Sequence, residues 1–276
     1  LYVNMVRAGE SSGTLDLVFD RLADFMEGQV KLRSKLGEAV TYPIIMLVMG
    51  VGVVTLLMVS VVPKMTAIFE DMGASLPTIT KVLIDTSSFF QNYWYVLFGG
   101  TAGMIYLFKK YTSSETGRKR WHGFVLRAPV VGRLARMVAV ARFSRTLGTL
   151  MKSGVPIITA LGIVKNVIGN VILENVIDES MLAVKEGSTL ASSLQASEHF
   201  PAMVTHMISV GEQSGEMESM LENVADAYES QVDSQIGIMT SLLEPLMIVG
   251  MGIIVGFIVF AILMPMLQMN DIINQV

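Results

Sequence analysis

Two long runs of apolar residues dominate the hydrophobic pattern of this chain. Residues 44–62, IIMLVMGVGVVTLLMVSVV, contain no charged side chain. A helix rising about 1.5 Å per residue covers about 28 Å over this run, which matches one hydrocarbon core. Residues 246–267 are also uncharged. The pattern therefore predicts transmembrane helices at 44–62 and 245–267.

A third, shorter apolar run lies at residues 91–108 and begins with the aromatic residues Tyr93, Trp94 and Tyr95. Aromatic side chains of this kind are enriched at membrane–water interfaces. The run predicts a third transmembrane helix. A run this short is also typical of a buried core helix, and that alternative stays open.

The polar segments have the three-to-four-residue periodicity of helices and no alternation typical of strands. After the sequence GEQSG, apolar residues recur at Met217, Leu221, Val224 and Tyr228, which predicts an amphipathic helix with Ser214 as its cap. Breaks are expected at SGVP (153–156) and GSTLASSL (187–194). About six helices are expected between residues 109 and 244.

A repeat runs through the chain at an offset of 202 residues. GESSG (9–13) and GEQSG (211–215) are related by this offset, as are Pro43 with Pro245 and Pro63 with Pro265. The pattern indicates a direct duplication. The second copy begins near Arg142, whose counterpart falls before residue 1. We therefore expect the natural chain to begin at least about 60 residues earlier, with the first domain truncated here.

Lysine and arginine residues flank the predicted spans unevenly. Basic residues precede the first span and follow the second, whereas residues 63–92 contain only Lys64 and Lys81, so the polar domains are expected to be cytoplasmic. The predicted fold is an all-α membrane protein with two duplicated cytoplasmic helical-bundle domains and three transmembrane helices. Its segments are the end of the first cytoplasmic domain (1–43), a span (44–62), a periplasmic segment (63–90), a span (91–108), the second cytoplasmic domain (109–244), a span (245–267) and a periplasmic tail (268–276).

Acidic residues form a stripe on the helix after each glycine-rich turn. Spacings of 4, 4 and 3 place them on one helix face, and the offset of 202 relates all four pairs. Two interpretations remain: a solvated face inherited from the duplication, or a surface that docks a partner or binds a cation. Together with one acid from each turn, the candidate docking residues are Glu10, Asp16, Asp20, Asp24, Glu27, Glu212, Glu218, Glu222, Asp226 and Glu229.

Glycine and proline residues in the two repeats are interpreted as structural. Gly9 and Gly211 suit helix C-caps, and Gly13 and Gly215 suit a reversal into the following helix. Pro43 and Pro245 mark the start of their spans. Glu244, beside Pro245, is explained by capping or by snorkelling to the membrane edge.

Composition supports a membrane protein and gives no sign of catalysis. The chain is 52% hydrophobic and 16% charged, with a mean hydropathy of +0.56. It has no cysteine, no glycine-rich phosphate loop and no His-Glu-x-x-His sequence, so we expect no catalytic site, cofactor, metal or nucleic-acid site. The spans 44–62 and 246–267 carry no ionisable side chain, which argues against the alternatives of a transporter and a membrane enzyme.

Charge is segregated along the chain. Residues 109–145 contain ten Lys or Arg and one acid, whereas residues 174–244 contain thirteen acids and one Lys. The basic block is suited to contact anionic lipid headgroups, and the acidic block is suited to contact a basic protein. The alternative is that both blocks are solvated surfaces.

An ordered set of motifs resembles a known family. RFSRTLGTLMKSGVP (142–156), EGSTLASSL (186–194) and LLEPLMIVGMGIIVGFIVFAILMPMLQMND (242–271), with the two turns, resemble the type II secretion system F protein and the related type IV pilus inner-membrane platform protein. The resemblance covers essentially the whole chain. The ending AILMPMLQMN (261–270) is more similar to the secretion branch, and the pilus branch remains the alternative.

This resemblance implies a multi-pass protein of the bacterial inner membrane with no enzymatic activity. It implies a platform that couples a cytoplasmic hexameric ATPase to assembly of a pseudopilin fibre and so to protein export. The implied partners are the secretion ATPase, other inner-membrane platform components, pseudopilins, membrane lipids and further copies of the same chain.

Overall fold

The computed structural model of the chain describes residue 6 and residues 15–71 and 77–273. Every regular element within these residues is a helix, as the periodicity predicts. In chain order they are α1 (Leu15–Leu56), a π-helical turn (Leu57–Val61), α2 (Val62–Asp71), α3 (Thr78–Ser113), α4 (Glu115–Arg127), α5 (Val131–Lys152), α6 (Ile157–Ile168), α7 (Val171–Lys185), α8 (Leu190–Ala196), α9 (Ala202–Ser214) and α10 (Met217–Ile273).

The helices form two compact units. The helical unit comprises residues 1–36 and 110–237, and the span unit comprises residues 37–109 and 238–276. This division rests on packing alone. The predicted segment boundaries, and the side of the membrane on which each segment lies, therefore stay predictions.

Three helix ends in the helical unit follow from local sequence. Gly154, just after α5, has a φ of +77°, a left-handed conformation that glycine adopts at little cost. Asn170 caps α7 by accepting a hydrogen bond from the amide of Ile172, and Thr189 caps α8 by accepting one from the amide of Ser192. The breaks predicted at SGVP and GSTLASSL are confirmed, and residues 109–244 contain six complete helices, α4 to α9.

The core of the helical unit is built around α5. Its residues Phe143, Leu147 and Leu150 recur at spacings of four and three and are fully buried. Phe143 packs edge-on against Phe200, with ring centroids 5.1 Å apart. Other helices of the unit supply the rest of the cluster, including Leu161, Ile177, Leu190, Leu194, Ile208 and Leu221.

Among the described residues, two helical segments are long and apolar enough to cross a membrane. They are Val40–Ala67 and Met217–Met264, whose most apolar 18 residues have mean hydropathies of 2.7 and 2.9, respectively. The first contains the predicted span 44–62, and the second contains most of the predicted span 245–267. The span predicted at 91–108 lies in α3. This helix is not among the two that are long and apolar enough, so a third crossing stays a prediction.

Within the span unit, α1 and α10 contact each other at positions related by the repeat offset. The hydroxyl of Tyr42 donates a hydrogen bond of 3.3 Å to Oε1 of Glu244, 202 residues later. Farther along, a Cβ at Gly50 would lie 2.5 Å from Cε of Met251, so only glycine fits there without a shift of that side chain. Glu244 therefore has a hydrogen-bond partner in the span unit, and its predicted position at the membrane edge stays a prediction.

A proline near the end of the first span leaves one main-chain carbonyl without its usual donor. In the π-helical turn, the amide of Val62 donates to the carbonyl of Leu57. The next residue, Pro63, has no N–H, so the carbonyl of Met58 lacks an intrahelical donor. On α3, the hydroxyl of Ser87 donates to this carbonyl at 2.7 Å, and Nε2 of Gln91 donates at 3.2 Å.

The second span has the corresponding feature. Pro265 lacks the N–H that would bond the carbonyl of Ala261 in a regular α-helix. The hydroxyl of Thr80, also on α3, donates to this carbonyl at 2.6 Å. Thr80 and Ser87 are seven residues apart and lie on one face of α3, with the fully buried Leu83 between them. One face of α3 thus satisfies a carbonyl in each of the two long apolar segments, Val40–Ala67 and Met217–Met264.

Candidate functional site

Three acids of the predicted stripe on α10 form ion pairs with α5. Arg145 contacts Glu229 through two bonds of 2.9 Å, from Nε to Oε1 and from Nη2 to Oε2, and it also pairs with Asp226. Nζ of Lys152 lies 2.7 Å from Oε1 of Glu222. These three acids therefore have a role in joining two helices of one unit.

The pairing has the geometry of two antiparallel helices. Arg145 and Lys152 are seven residues apart on α5, and their partners Glu229 and Glu222 are seven residues apart in the opposite direction on α10. Two-pronged contact with a carboxylate is the arrangement for which the guanidinium group is best suited. The hydrogen bond to Glu229 raises the pKa of Arg145 above its ordinary value, so the cation is held throughout the physiological range.

The remaining acids of the two stripes lie on α10 and α1. Glu218 is half-buried in the first turn of α10, and Asp16 and Glu27 are exposed on α1. Asp20 and Asp24 also belong to α1. Among the described residues, no group of three or more His, Asp or Glu side chains has the arrangement of a metal site.

Glu212, the acid of the GEQSG turn, holds the start of another helix. Its Oε1 accepts a hydrogen bond of 2.6 Å from the amide of Leu190, and its Oε2 accepts one of 3.2 Å from the amide of Ala191. These amides begin α8 and have no intrahelical acceptor. Glu212 therefore connects α9 to α8 through charge-assisted bonds.

The two glycines of GEQSG have different outcomes: Gly215 lies at the reversal into the following helix, as predicted, whereas Gly211 is not a helix C-cap. α9 continues through Gly211 to Ser214, and the left-handed C-cap is Gly215, with a φ of +74°. Gly211 is instead a contact position, because a Cβ there would lie 2.9 Å from Cα of Met217 and 3.2 Å from Cβ of Met220. The helix therefore ends at Gly215 and not at Gly211. Because residue 211 has no side chain, α9 and α10 can pack closely there.

Gly211→Ala is expected to lower the free energy of unfolding by about 1–3 kcal/mol, because the new Cβ meets the main-chain Cα of Met217, which cannot move without its helix. Gly162→Ala is the matched control: on α6, the nearest atom to the new Cβ is Sδ of Met181 at 4.0 Å. That control should be neutral, or more stable by up to about 1 kcal/mol from helix propensity. Thermal unfolding in detergent measures both, and equal effects would contradict the close contact.

Other predicted structural residues have different outcomes. Gly9, Glu10 and Gly13, in the GESSG copy, lie outside the residues that the structure describes. Pro43 lies inside α1 and Pro245 inside α10, so neither proline begins a helix. A helix can continue through a proline where neighbouring groups satisfy the backbone. The role predicted for Pro43 and Pro245, to mark the start of each span, stays a prediction.

His122 connects α4 to α7. Its Nδ1 accepts a hydrogen bond of 3.0 Å from the amide of Val171, in the first turn of α7. Burial lowers the pKa of His122 below its ordinary value, and the nearby charge of Arg118 lowers it further. Because a protonated imidazole cannot accept at Nδ1, this hydrogen bond requires the neutral form of His122.

Stability is expected to fall as the pH drops below about 6.5 toward the lower pKa of His122 in the folded protein, because the unfolded chain then binds a proton that the folded chain does not. His122→Gln keeps an acceptor and should flatten this part of the profile. The measurement is the melting temperature of both proteins between pH 5 and 7.5. Parallel profiles would show that His122 makes no contribution.

Comparison with known proteins identifies the family. A family model described as "Type II secretion system (T2SS), protein F" matches residues 1–63 and 143–265. The protein named "Type II secretion system protein F" from Aeromonas hydrophila is 41% identical over 276 residues, covering 99% of this chain and 71% of the relative. The protein of the same name from Vibrio cholerae is 39% identical over 275 residues, covering 100% of this chain and 68% of the relative.

Similarity extends equally to a protein from pilus assembly. "Type IV pilus assembly protein PilC" from Thermus thermophilus is 41% identical over 271 residues, covering 97% of this chain and 66% of the relative. The chain belongs to the type II secretion system protein F family, which its motifs led us to expect. Membership of this family and the two apolar helices point to an inner-membrane protein.

Proposed function

We propose that this chain is the inner-membrane platform of a type II secretion system, which couples a cytoplasmic hexameric ATPase to assembly of a pseudopilin fibre and thus to protein export. The observation that carries the proposal is family membership over nearly the whole chain. The platform acts mechanically, without an active site or cofactor. It works beside other inner-membrane components and as a homo-oligomer.

Two features support a duplicated platform with three spans. The two segments that match the family model end at residues 63 and 265, which are 202 residues apart, the offset of the sequence repeat. In α3, every side chain described between Phe89 and Tyr111 is exposed, including Trp94, Ile105 and Leu107. An apolar helix surface of this extent requires lipid or another protein around it, which supports a third crossing.

The acidic stripes are proposed to contact the motor only through side chains that are not already paired. On α10, Glu222, Asp226 and Glu229 have partners on α5. On α1, Asp16 and Glu27 are exposed. The motor contact is therefore assigned first to the stripe on α1, where an acidic surface complements a basic partner.

Assembly of a type IV pilus is the second candidate, because relatives from both machines are 41% identical to this chain. Deletion of the gene in its native strain separates the two. Loss of secreted enzymes with normal surface pili supports the secretion platform, and loss of pili with normal secretion supports the pilus platform. Normal secretion and normal pili would contradict both.

A further inference from the structure

The inner face of α4 is fixed by contacts with α7. Nη2 of Arg118 donates to both carboxylate oxygens of Glu174, at 3.1 and 3.3 Å, and His122 accepts from the amide of Val171. Leu126, one turn beyond His122, is buried in the core of the unit. These contacts determine which face of α4 points away from the helical unit.

The outer face of α4 combines aromatic and cationic side chains. At 100° per residue, Arg120, Trp121, Phe124 and Arg127 lie opposite the buried face, and all four are exposed. The rings of Trp121 and Phe124 stack with centroids 5.9 Å apart, and 65% of Phe124 is exposed. This surface is continuous in sequence with two exposed valines, Val130 and Val131.

The charge around this face has one sign. Arg120 and Arg127 belong to none of the ion pairs among the described residues. Lys119 and Arg133, next to them in the sequence, are also exposed cations. A helix that presents stacked aromatic rings between arginines is typical of an element lying in the membrane interface, where apolar rings enter the acyl boundary and cations meet anionic headgroups.

α4 follows α3 directly in the sequence. Ser114 is the only residue between α3 and α4, and it caps α4 by accepting a hydrogen bond from the amide of Gly117. The apolar sequence of α3 ends at Phe108 and is followed by Lys109 and Lys110. A cationic end followed at once by an amphipathic helix is the order expected where a chain leaves a bilayer and turns along its surface.

We propose that the outer face of α4, formed by Arg120, Trp121, Phe124 and Arg127, lies on the anionic headgroup layer of the membrane. The contact anchors the helical unit to the bilayer surface through a side that the α5–α10 ion pairs do not use. The proposal rests on the membrane location of the protein and on the proposed crossing by α3, and it is independent of which fibre or motor the protein serves.

The chain contains two tryptophans, so Trp94→Phe leaves Trp121 as the single fluorescent reporter. This variant is placed in nanodiscs of phosphatidylcholine with or without phosphatidylglycerol, each with lipids brominated near the headgroup end of the acyl chains. In anionic discs we expect a blue-shifted emission and about twofold stronger quenching by bromine than in zwitterionic discs. The excess quenching should diminish in high salt, because the contact is partly electrostatic.

Arg120→Gln with Arg127→Gln, made in the single-tryptophan protein, should reduce quenching in anionic discs to the zwitterionic level. Lys185→Gln is the matched control, since Lys185 is an exposed cation at the end of α7, and it should change nothing. Circular dichroism verifies that both variants remain helical. Equal quenching in anionic and zwitterionic discs would overturn the proposal. A blue-shifted emission without quenching would also overturn it, and would indicate that a protein surface covers Trp121. Secretion by the native strain is a separate measurement, so failure here leaves the platform function standing.

Discussion

Arg145→Glu is expected to lower the free energy of unfolding by about 2–3 kcal/mol, the largest single loss that we predict in the helical unit. The substitution removes the two-pronged contact with Glu229 and the pair with Asp226. It also places a third carboxylate beside these two acids. The side chain of Arg145 is 30% exposed and that of Asp226 is 69% exposed, so solvent screens part of the effect.

Exchanging the charges, as Arg145→Glu with Glu229→Arg, is expected to restore most of the lost stability and, in the native strain, secretion. Thermal unfolding in detergent and the amount of secreted enzyme are the two readouts. Restoration of both would establish that Glu229 acts within the helical unit. If stability returned while secretion stayed absent, Glu229 would be needed by a partner, and the docking interpretation of this acid would be correct.

Removal of two hydroxyls of α3 that donate hydrogen bonds to main-chain carbonyls of the apolar segments is expected to cause the second large loss of stability. Thr80→Val with Ser87→Ala leaves the carbonyls of Ala261 and Met58 without their hydroxyl donors. We expect a combined loss of about 1–3 kcal/mol, since each hydrogen bond of this kind is worth about 0.6–1.7 kcal/mol in a membrane protein. Unfolding of the detergent-solubilised protein is the measurement.

Neighbouring hydroxyls on the same helix provide the control. Thr86 and Ser88 are exposed and donate to carbonyls of their own helix, so Thr86→Val with Ser88→Ala should cost little. Pro63→Ala restores a main-chain N–H in the π-helical turn and should reduce the cost of Ser87→Ala. If Ser87→Ala costs as much stability in the presence of Pro63→Ala as it does alone, then Ser87 does not serve a carbonyl that Pro63 leaves without a donor, and the assignment is wrong.

The periodic parts of the fold follow from the sequence because their causes are local. The spans are visible as uncharged runs, and the ends of α5 and α8 depend on glycine, proline and hydroxyl residues close in sequence. Tyr42 and Glu244 are equivalent positions by the repeat offset, but nothing in the sequence shows that these two residues form a hydrogen bond. α1 and α10 are continuous through Pro43 and Pro245, where the sequence predicts the start of each span.

The site was harder to predict because its contacts join distant residues. The acids on α10 are visible as a stripe, but their partners Arg145 and Lys152 lie 70 or more residues earlier. A signal for the pairing existed in the matching spacing of seven on both helices. The sequence contains no signal for the helix contact at Gly211, because a close approach of two helices depends on tertiary packing. A glycine near a turn is more simply interpreted as a helix cap.

The central claim, that the chain is a platform moved by an ATPase, is tested most directly by photocrosslinking in the native strain. A photoreactive residue is placed at Asp16 on α1, and at Asn223 and Ser230, which are exposed beside the paired acids of α10. We predict a light-dependent adduct with the secretion ATPase at Asp16, and a weaker one or none on α10. Absence of the ATPase from every adduct, in strains that still secrete, would contradict the account.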